Sequence, residues 1–286
     1  MTRRKDYRFL DRLRVRWAEV DLQKIVFNGH YLMYFDTAVA GYWRALALPY
    51  AQTMERLGGG LYVRKATLEY EASAVYDDVL HVGVRCTRIG NSSVLFSAAV
   101  FRQEQLLVSG ELVYVFADPA TQTSRPVPQP LRDVLLGFEA GQQMVDVRVG
   151  SWSELGEEAK AIRSEVFVRE QKIPANLEWD AADATGVHAV ACNRFGLPLA
   201  TGRWVPHASG VVKIGRMAVI APMRSAAVGR KVLDALMQSA RAAGNRQALL
   251  HAQTSASDFY RRAGFAVNGP VFEEAGIAHV EMVMAL

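Results

Sequence analysis

The sequence predicts an α+β protein of two bodies: an antiparallel sheet wrapped round one long helix, then an α/β sandwich. Three observations carry that prediction. The chain has 286 residues, which suits two cores of roughly 140 residues each better than one. Residues 28–48 are apolar or aromatic on nearly every side, as in a buried helix, and four strand-like runs follow. Beyond Gly141-Gln142-Gln143 the rhythm changes to strands alternating with helices, the order of a layered α/β architecture.

The first body opens with a loosely alternating strand over residues 10–17. Its helix carries Tyr31, Leu32, Met33, Tyr34, Phe35, Ala38, Val39, Tyr42, Trp43 and Leu46. Strands are expected over 61–70, 79–87, 92–102 and 106–116. In the second of these, Leu80, Val82, Val84 and Cys86 alternate with His81, Gly83, Arg85 and Thr87, the period of a half-buried strand. Asp77-Asp78, Gly90-Asn91 and Gln103-Glu104-Gln105 supply the turns. Residues 118–130 hold four prolines and can form neither a helix nor a central strand. A short helix over 131–138 ends the first body, which spans 1–140.

The second body spans 146–286, with a strand at 145–149 leading into it. A helix over 153–171 follows, with Ser153 as its N-cap. Strands at 187–193 and 198–205 are joined by a turn at Phe195-Gly196. A third strand covers 211–220. An amphipathic helix at 228–243 is ended by Gly244, a strand fills 248–252, and a helix at 255–263 is ended by Gly264. A strand at 280–284 closes the chain. No internal repeat relates the halves, and no low-complexity tract is present.

Composition excludes several classes of function. The net charge is +4, without a polybasic block. The densest basic stretch (Arg3, Arg4, Lys5, Arg8, Arg12, Arg14, Arg16) is relieved by Asp6 and Asp11. It reads as a solvated arm, so no nucleic-acid partner is expected. No run of ~18 apolar residues is present, so no membrane span is expected. The basic start lacks the apolar stretch of a secretory signal. Cys86 and Cys192 lie far apart without ligand neighbours, and the six histidines show no ligand spacing. Buried thiols in a reducing cytoplasm, and no metal, are the expectation.

The first chemical constellation runs from Val15 to Tyr31. Asp21 sits in a loop seven positions ahead of Asn28, where the apolar helix starts. Thioester hydrolysis needs a carboxylate to attack the carbonyl or activate water. A helix N-terminus supplies free N–H groups for the developing oxyanion. Taken alone, Asp21 could equally cap a turn. Asp21, Val26 and Tyr31 nevertheless match the motif D-x-x-G-x-V-x-x-x-x-Y. Residues 68–80 and Arg125-Pro126-Val127-Pro128 also fit, so residues 8–138 resemble the 4-hydroxybenzoyl-CoA thioesterase family. The resemblance implies a hotdog fold acting on acyl-CoA, with Asp21 as base or nucleophile. The N–H groups near Asn28 and Gly29 would polarise the carbonyl. It also implies a homodimer or homotetramer built through this domain, because such sites lie where one subunit's helix start meets its neighbour's sheet. Two positions depart from the pattern. Lys24 replaces the family glycine, and Asn28 stands where several relatives carry histidine; His30 and Glu69 are the nearby residues able to compensate.

The second constellation is Met217-Ala218-Val219 at a strand end, followed by Arg224-Ser225-Ala226-Ala227-Val228-Gly229-Arg230 at a helix start. Small residues there let backbone N–H groups close round a pyrophosphate. The stretch resembles the R/Q-x-x-G-x-G/A loop of GNAT acetyltransferases, with Ala227 in place of the first glycine and Ser225 in place of a second common one. Alanine fits such a loop if its φ stays negative. Residues 252–265 and 276–282, and an opening over 163–188, extend the resemblance across 146–286. That opening is also similar to the acyl-homoserine-lactone synthases, a GNAT-like group. The resemblance implies acetyl-CoA and an amine as substrates, with no tightly bound cofactor. The backbone at 217–219 would pair with the pantetheine arm. Phe259 would line the CoA site, and Tyr260 would protonate the leaving thiolate. Glu170, Glu178, Asp180 and His188 are the candidates for the base. Three readings follow: two active enzymes, an active thioesterase with a non-catalytic CoA-binding module, or an acyl-CoA-binding regulator without turnover.

Overall fold

The apolar run after Asn28 forms α1 (Asn28–Ala45), which buries Tyr31, Tyr34, Phe35, Ala38, Val39, Tyr42 and Trp43. These side chains face a five-stranded sheet made of β1 (Phe9–Arg14), β2 (Gly60–Tyr70), β3 (Val79–Ile89), β4 (Ser93–Arg102) and β5 (Gln105–Ala117). The strand order is β1-β3-β4-β5-β2, and every pairing is antiparallel. The computed structural model describes residues 2–274 and 276–286, which fall into two units, Met1–Met144 and Val145–Leu286.

Close approach of α1 to the sheet depends on Gly110 in β5. A Cβ there would stand 2.4 Å from the Thr67 carbonyl oxygen and 2.8 Å from the Phe35 ring. Tyr42 anchors the next turns, edge-on to Phe9, Phe96 and Phe138. Each such aromatic contributes about 2–3 kcal/mol through burial. The helix α2 (Tyr50–Leu57) was not expected. It runs from Pro49 to Gly58, whose φ of +64° ends it in the left-handed C-cap geometry. Helix α3 (Gln129–Glu139) follows the proline-rich segment. The Glu139 carboxylate accepts hydrogen bonds from the Tyr42 hydroxyl and from the Cys86 N–H. A sheet curled round one long helix is the hotdog architecture.

In the second unit β6 (Val145–Gly150) leads into α4 (Trp152–Arg163). The cap is Ser151 rather than Ser153, because the Glu154 carboxylate accepts from the Ser151 N–H and completes a capping box. The helix does not run on to 171 as a regular α-helix. It widens into a π-helical turn over Ser164–Glu170, a distortion common beside functional sites. Two short helices, α5 (Ala175–Glu178) and α6 (Ala182–Thr185), come next. Then come β7 (Val187–Asn193), β8 (Pro198–Ala208), β9 (Val211–Val219), α7 (Val228–Ala242), β10 (Gln247–Gln253), α8 (Ser257–Ala263), β11 (Ala266–Glu274) and β12 (Ile277–Ala285). β11 was missed in the sequence because its residues are mostly exposed and carry no buried periodicity.

The second sheet has the order β11-β12-β10-β9-β8-β7-β6. Its one parallel pairing among the described residues is β9 with β10, and that ladder is short. It runs from Val211↔Gln247 to Ile214↔Leu250 and stops, although both strands continue. Beyond Ile214 the backbone of β9 pairs only with β8, and Arg216 takes a φ of +54°. The two central strands therefore open into a wedge. This splayed sheet, with α4 and α7 contributing buried Leu155, Ile162, Val232 and Leu236, is the GNAT arrangement.

Candidate active sites

Asp21 stands at the first corner of a tight hairpin. Its N–H donates to the Ile25 carbonyl, its own carbonyl accepts from Lys24, and Val20 bridges Val26. Its Oδ1 accepts from the Gln23 N–H at 2.8 Å, so the carboxylate does cap the turn. Its other oxygen has no partner among the described residues. Lys24 occupies the left-handed region at φ +64°, the geometry glycine serves without strain and a lysine holds at a cost of about 1 kcal/mol.

The hairpin is braced from two sides. The Val26 N–H donates to the Ala74 carbonyl, and the Ala74 N–H donates to the Tyr31 hydroxyl at 2.9 Å. Glu19, two residues before Asp21, is only 4% exposed. It accepts from the Arg16 backbone and guanidinium and from the Tyr34 hydroxyl at 2.8 Å. Burial pushes the Glu19 carboxyl up, but those hydrogen bonds outweigh it and hold the group below its usual range. Nothing in the sequence singled out Glu19. A buried acid is visible there only as the partner of Arg16 three residues earlier.

Asn28 and Gly29 form the first turn of α1, whose N–H groups have no intrahelical acceptor. The surroundings are open. Trp17, Leu22, Phe27 and Met33, apolar residues flanking Asp21 and the helix start in sequence, are all more than half exposed. His30 packs edge-on to Phe27.

The second unit closes its own site. A cavity of about 390 Å³ lies on the face of the sheet where β9 and β10 part, lined among others by Phe167, Arg216, Met217, His251, Glu274 and Tyr260. Tyr260 is 8% exposed, and burial pushes its phenol up to about 12, so it holds its proton at neutral pH. Phe259 packs edge-on against it at 4.9 Å.

At the mouth of the wedge, the loop from Arg224 to Arg230 leads into α7. Ala227 sits at φ +58° and Ser225 at φ +65°. The expectation that Ala227 would keep a negative φ is therefore corrected: both substituted glycine positions are left-handed. The N–H groups of Val228, Gly229 and Arg230, in the first turn of α7, point out without intrahelical acceptors. Gly229 lies against β9, where a Cβ would stand 3.0 Å from Val219 Cγ2. Arg224 forms a two-pronged pair with Glu170 at 2.6 and 2.7 Å, and Arg230 pairs with Asp234.

Each of the four expected bases has a partner of its own, and two of them, Glu178 and Asp180, line the cavity. Glu170 holds Arg224. Glu178 and Asp183 clamp the buried Arg163, at 2.5 and 2.7 Å. Asp180 pairs with Arg203 and Arg216, and its hydrogen bond to Arg203 drops its carboxyl to about 2. His188 is buried with Nε2 2.9 Å from the Asp183 carbonyl and its ring against Trp152. Lys213, His251, Glu274 and His279, which the sequence did not single out, line the cavity together with Glu178 and Asp180. Their signal was weak: polar residues at alternate positions of central strands, as in His251 and Gln253 between the buried Leu250 and Ala252.

Comparisons with known proteins find one profile within each unit. The Thioesterase superfamily profile matches residues 23–109, and the Acetyltransferase (GNAT) domain profile matches residues 200–286. An uncharacterized N-acetyltransferase of Bacillus subtilis, YjcF, is 37% identical over 123 residues, covering 43% of this chain and 86% of the relative. A protein of Aquifex aeolicus named "Putative esterase" is 31% identical over 96 residues, covering 34% of this chain and 74% of the relative. The acyl-CoA thioester hydrolase YbgC of Escherichia coli is 26% identical over 121 residues, covering 42% of this chain and 89% of the relative. The chain thus belongs to two families that handle CoA thioesters, the thioesterase superfamily through its first unit and the GNAT acetyltransferases through its second.

Proposed function

We propose that the first unit hydrolyses acyl-CoA to free acid and CoA, and that the second transfers acetyl from acetyl-CoA to an amine. The observation that carries the first half is the free oxygen of Asp21, on a hairpin fixed directly ahead of the bare N–H groups of Asn28 and Gly29. Asp21 then acts as base or nucleophile, and the helix start receives the oxyanion. The exposed apolar residues flanking it in sequence, with the unpaired edge of β2, fit a site completed by a second copy. A homodimer or homotetramer follows, and a monomer by light scattering would remove that part of the reading.

For the second unit, the wedge between β9 and β10 supports threading of the pantetheine arm along Met217, Ala218 and Val219. The pyrophosphate then rests on the loop from Arg224 to Arg230, and Tyr260 returns a proton to the departing thiolate. One observation favours a second reading, a unit that binds CoA without turnover: Ala227 and Ser225 strain the loop where glycine would relax it.

The test is thiol release from a panel of acyl-CoA esters without amine, by wild type and Asp21→Asn. Release that depends on the acyl group and falls ~100-fold or more in the variant is the expected result. Release untouched by the substitution would make the first unit a binding module.

A further inference from the structure

Each base expected from the sequence is locked in an ion pair or beneath a ring, yet amine attack on a thioester still releases a proton. The geometry points to His251 as the base that takes it, a proposal that rests on the acetyl-transfer reading of the second unit. The last rung between β9 and β10 joins Ile214 to Leu250. Gly215 and His251 are therefore the first residues past the apex of the wedge. An extended arm threaded between the strands brings its thioester to that apex. A Cβ built on Gly215 meets nothing within 4 Å, so the space opposite His251 is open, and both residues line the cavity that Tyr260 also lines.

The imidazole is held on one side and free on the other. Nδ1 lies 3.1 Å from Glu274 Oε2 on β11 and 3.2 Å from Lys213 Nζ on β9. Nε2 has no hydrogen bond among the described residues; the nearest charge is the Glu281 carboxylate of β12, 3.7 Å away. One Nδ1 cannot both donate to Glu274 and accept from Lys213; in the tautomer whose Nδ1–H goes to Glu274, Lys213 is a neighbouring charge and the Nε2 lone pair is left to accept a proton. Phe272 packs edge-on to the ring at 4.8 Å and fixes its plane. The charged and titratable groups facing His251 are thus Lys213, Glu274 and Glu281, with His279 stacked on Phe272 in the same cavity.

In the reaction, the amine nitrogen bonds to the acetyl carbon as the carbon–sulfur bond breaks. The amine proton passes to His251 Nε2, and the Tyr260 hydroxyl proton passes to the sulfur of CoA. Glu274 acts as a positioning residue that fixes which nitrogen is basic.

A reactive analogue tests the placement without knowledge of the amine. Bromoacetyl-CoA, incubated with the full-length chain, carries its electrophilic carbon to the position of the acetyl group. Attack by Nε2 forms a nitrogen–carbon bond and expels bromide. Peptide mass spectrometry is expected to find the adduct on His251, blocked by excess CoA and absent from that peptide in His251→Asn. Glu274→Gln, which removes the oxygen that Nδ1–H reaches at 3.1 Å, is expected to slow it, and Glu274→Asp to restore part of the rate. An adduct elsewhere in the second unit, on Lys213 or Tyr260, would keep the acetyl-transfer reading and overturn the base assignment. Adducts confined to the first unit, or none at all, would overturn both.

Discussion

Asp21 rests on a surface turn whose sequence neighbours include the exposed Trp17, Leu22 and Phe27, whereas Tyr260 lies in the wall of a cavity that its own unit builds. The two units also draw order from different interactions. The first packs aromatic rings round one helix, and Tyr42 alone touches three others edge-on. The second carries a buried ionic cluster of Arg163, Glu178, Asp183 and Arg203 beneath its cavity. The first unit's core is mainly apolar and aromatic. A fold that must hold a polar cavity alone needs polar groups fixed below it, and these tolerate loss of a partner badly.

The largest expected effect follows from that contrast. Arg163 is 1% exposed and binds two carboxylates and the Glu178 carbonyl. Removing it as Arg163→Met leaves Glu178 and Asp183 buried with less compensation, so a loss of about 3–5 kcal/mol is expected. Hydrogen exchange locates the loss: β7 and β8 should lose protection while β3 and β4 keep theirs. Equal loss in both units would break the distinction.

Alkali should separate the units in the opposite sense. Tyr260 is the only tyrosine of the second unit. In the first, burial raises the phenols of Tyr7, Tyr31, Tyr34, Tyr42, Tyr50 and Tyr114, the last to about 12. A phenol with a folded pKa above its unfolded value near 10 contributes stability that is complete below that pH. The contribution is lost as pH rises through the folded value. Above pH 10 the first unit should therefore lose exchange protection before the second. The reverse order would mean that its phenols are not shielded.

The same contrast decides what the sequence revealed. α1 and the strands round it were legible because dry packing leaves a periodicity: Leu80, Val82, Val84 and Cys86 all turn one way and are all buried. Asp21 and the loop at Arg224–Arg230 were legible because each is contiguous. The cavity was not. Lys213, His251, Glu274 and His279 come from four strands, and only the register that sets Glu281 opposite His251 and His279 opposite Gln253 brings them to one face. The end of the β9–β10 ladder leaves no mark in composition either. α2 escaped notice because it is a short surface helix with little buried beyond Thr53 and Met54.

The smallest effects test the two strained turns, one in each unit. Lys24 and Ala227 both hold left-handed backbone at positions where glycine is the family residue. Lys24→Gly relieves the strain but loosens the unfolded chain, so the net gain should be no more than about 1 kcal/mol. Ala227→Gly should gain about as much, because glycine is also acceptable at a helix N-cap. The two then part in function. Lys24 lies three residues beyond Asp21, on a hairpin already held by its own ladder, so thiol release should change little. Ala227 shapes the N–H groups that would meet the pyrophosphate, so relaxing it should tighten CoA binding several-fold by calorimetry. If CoA binding in Ala227→Gly is unchanged or weaker, the alanine is the fitted residue, and the strain belongs to the working loop.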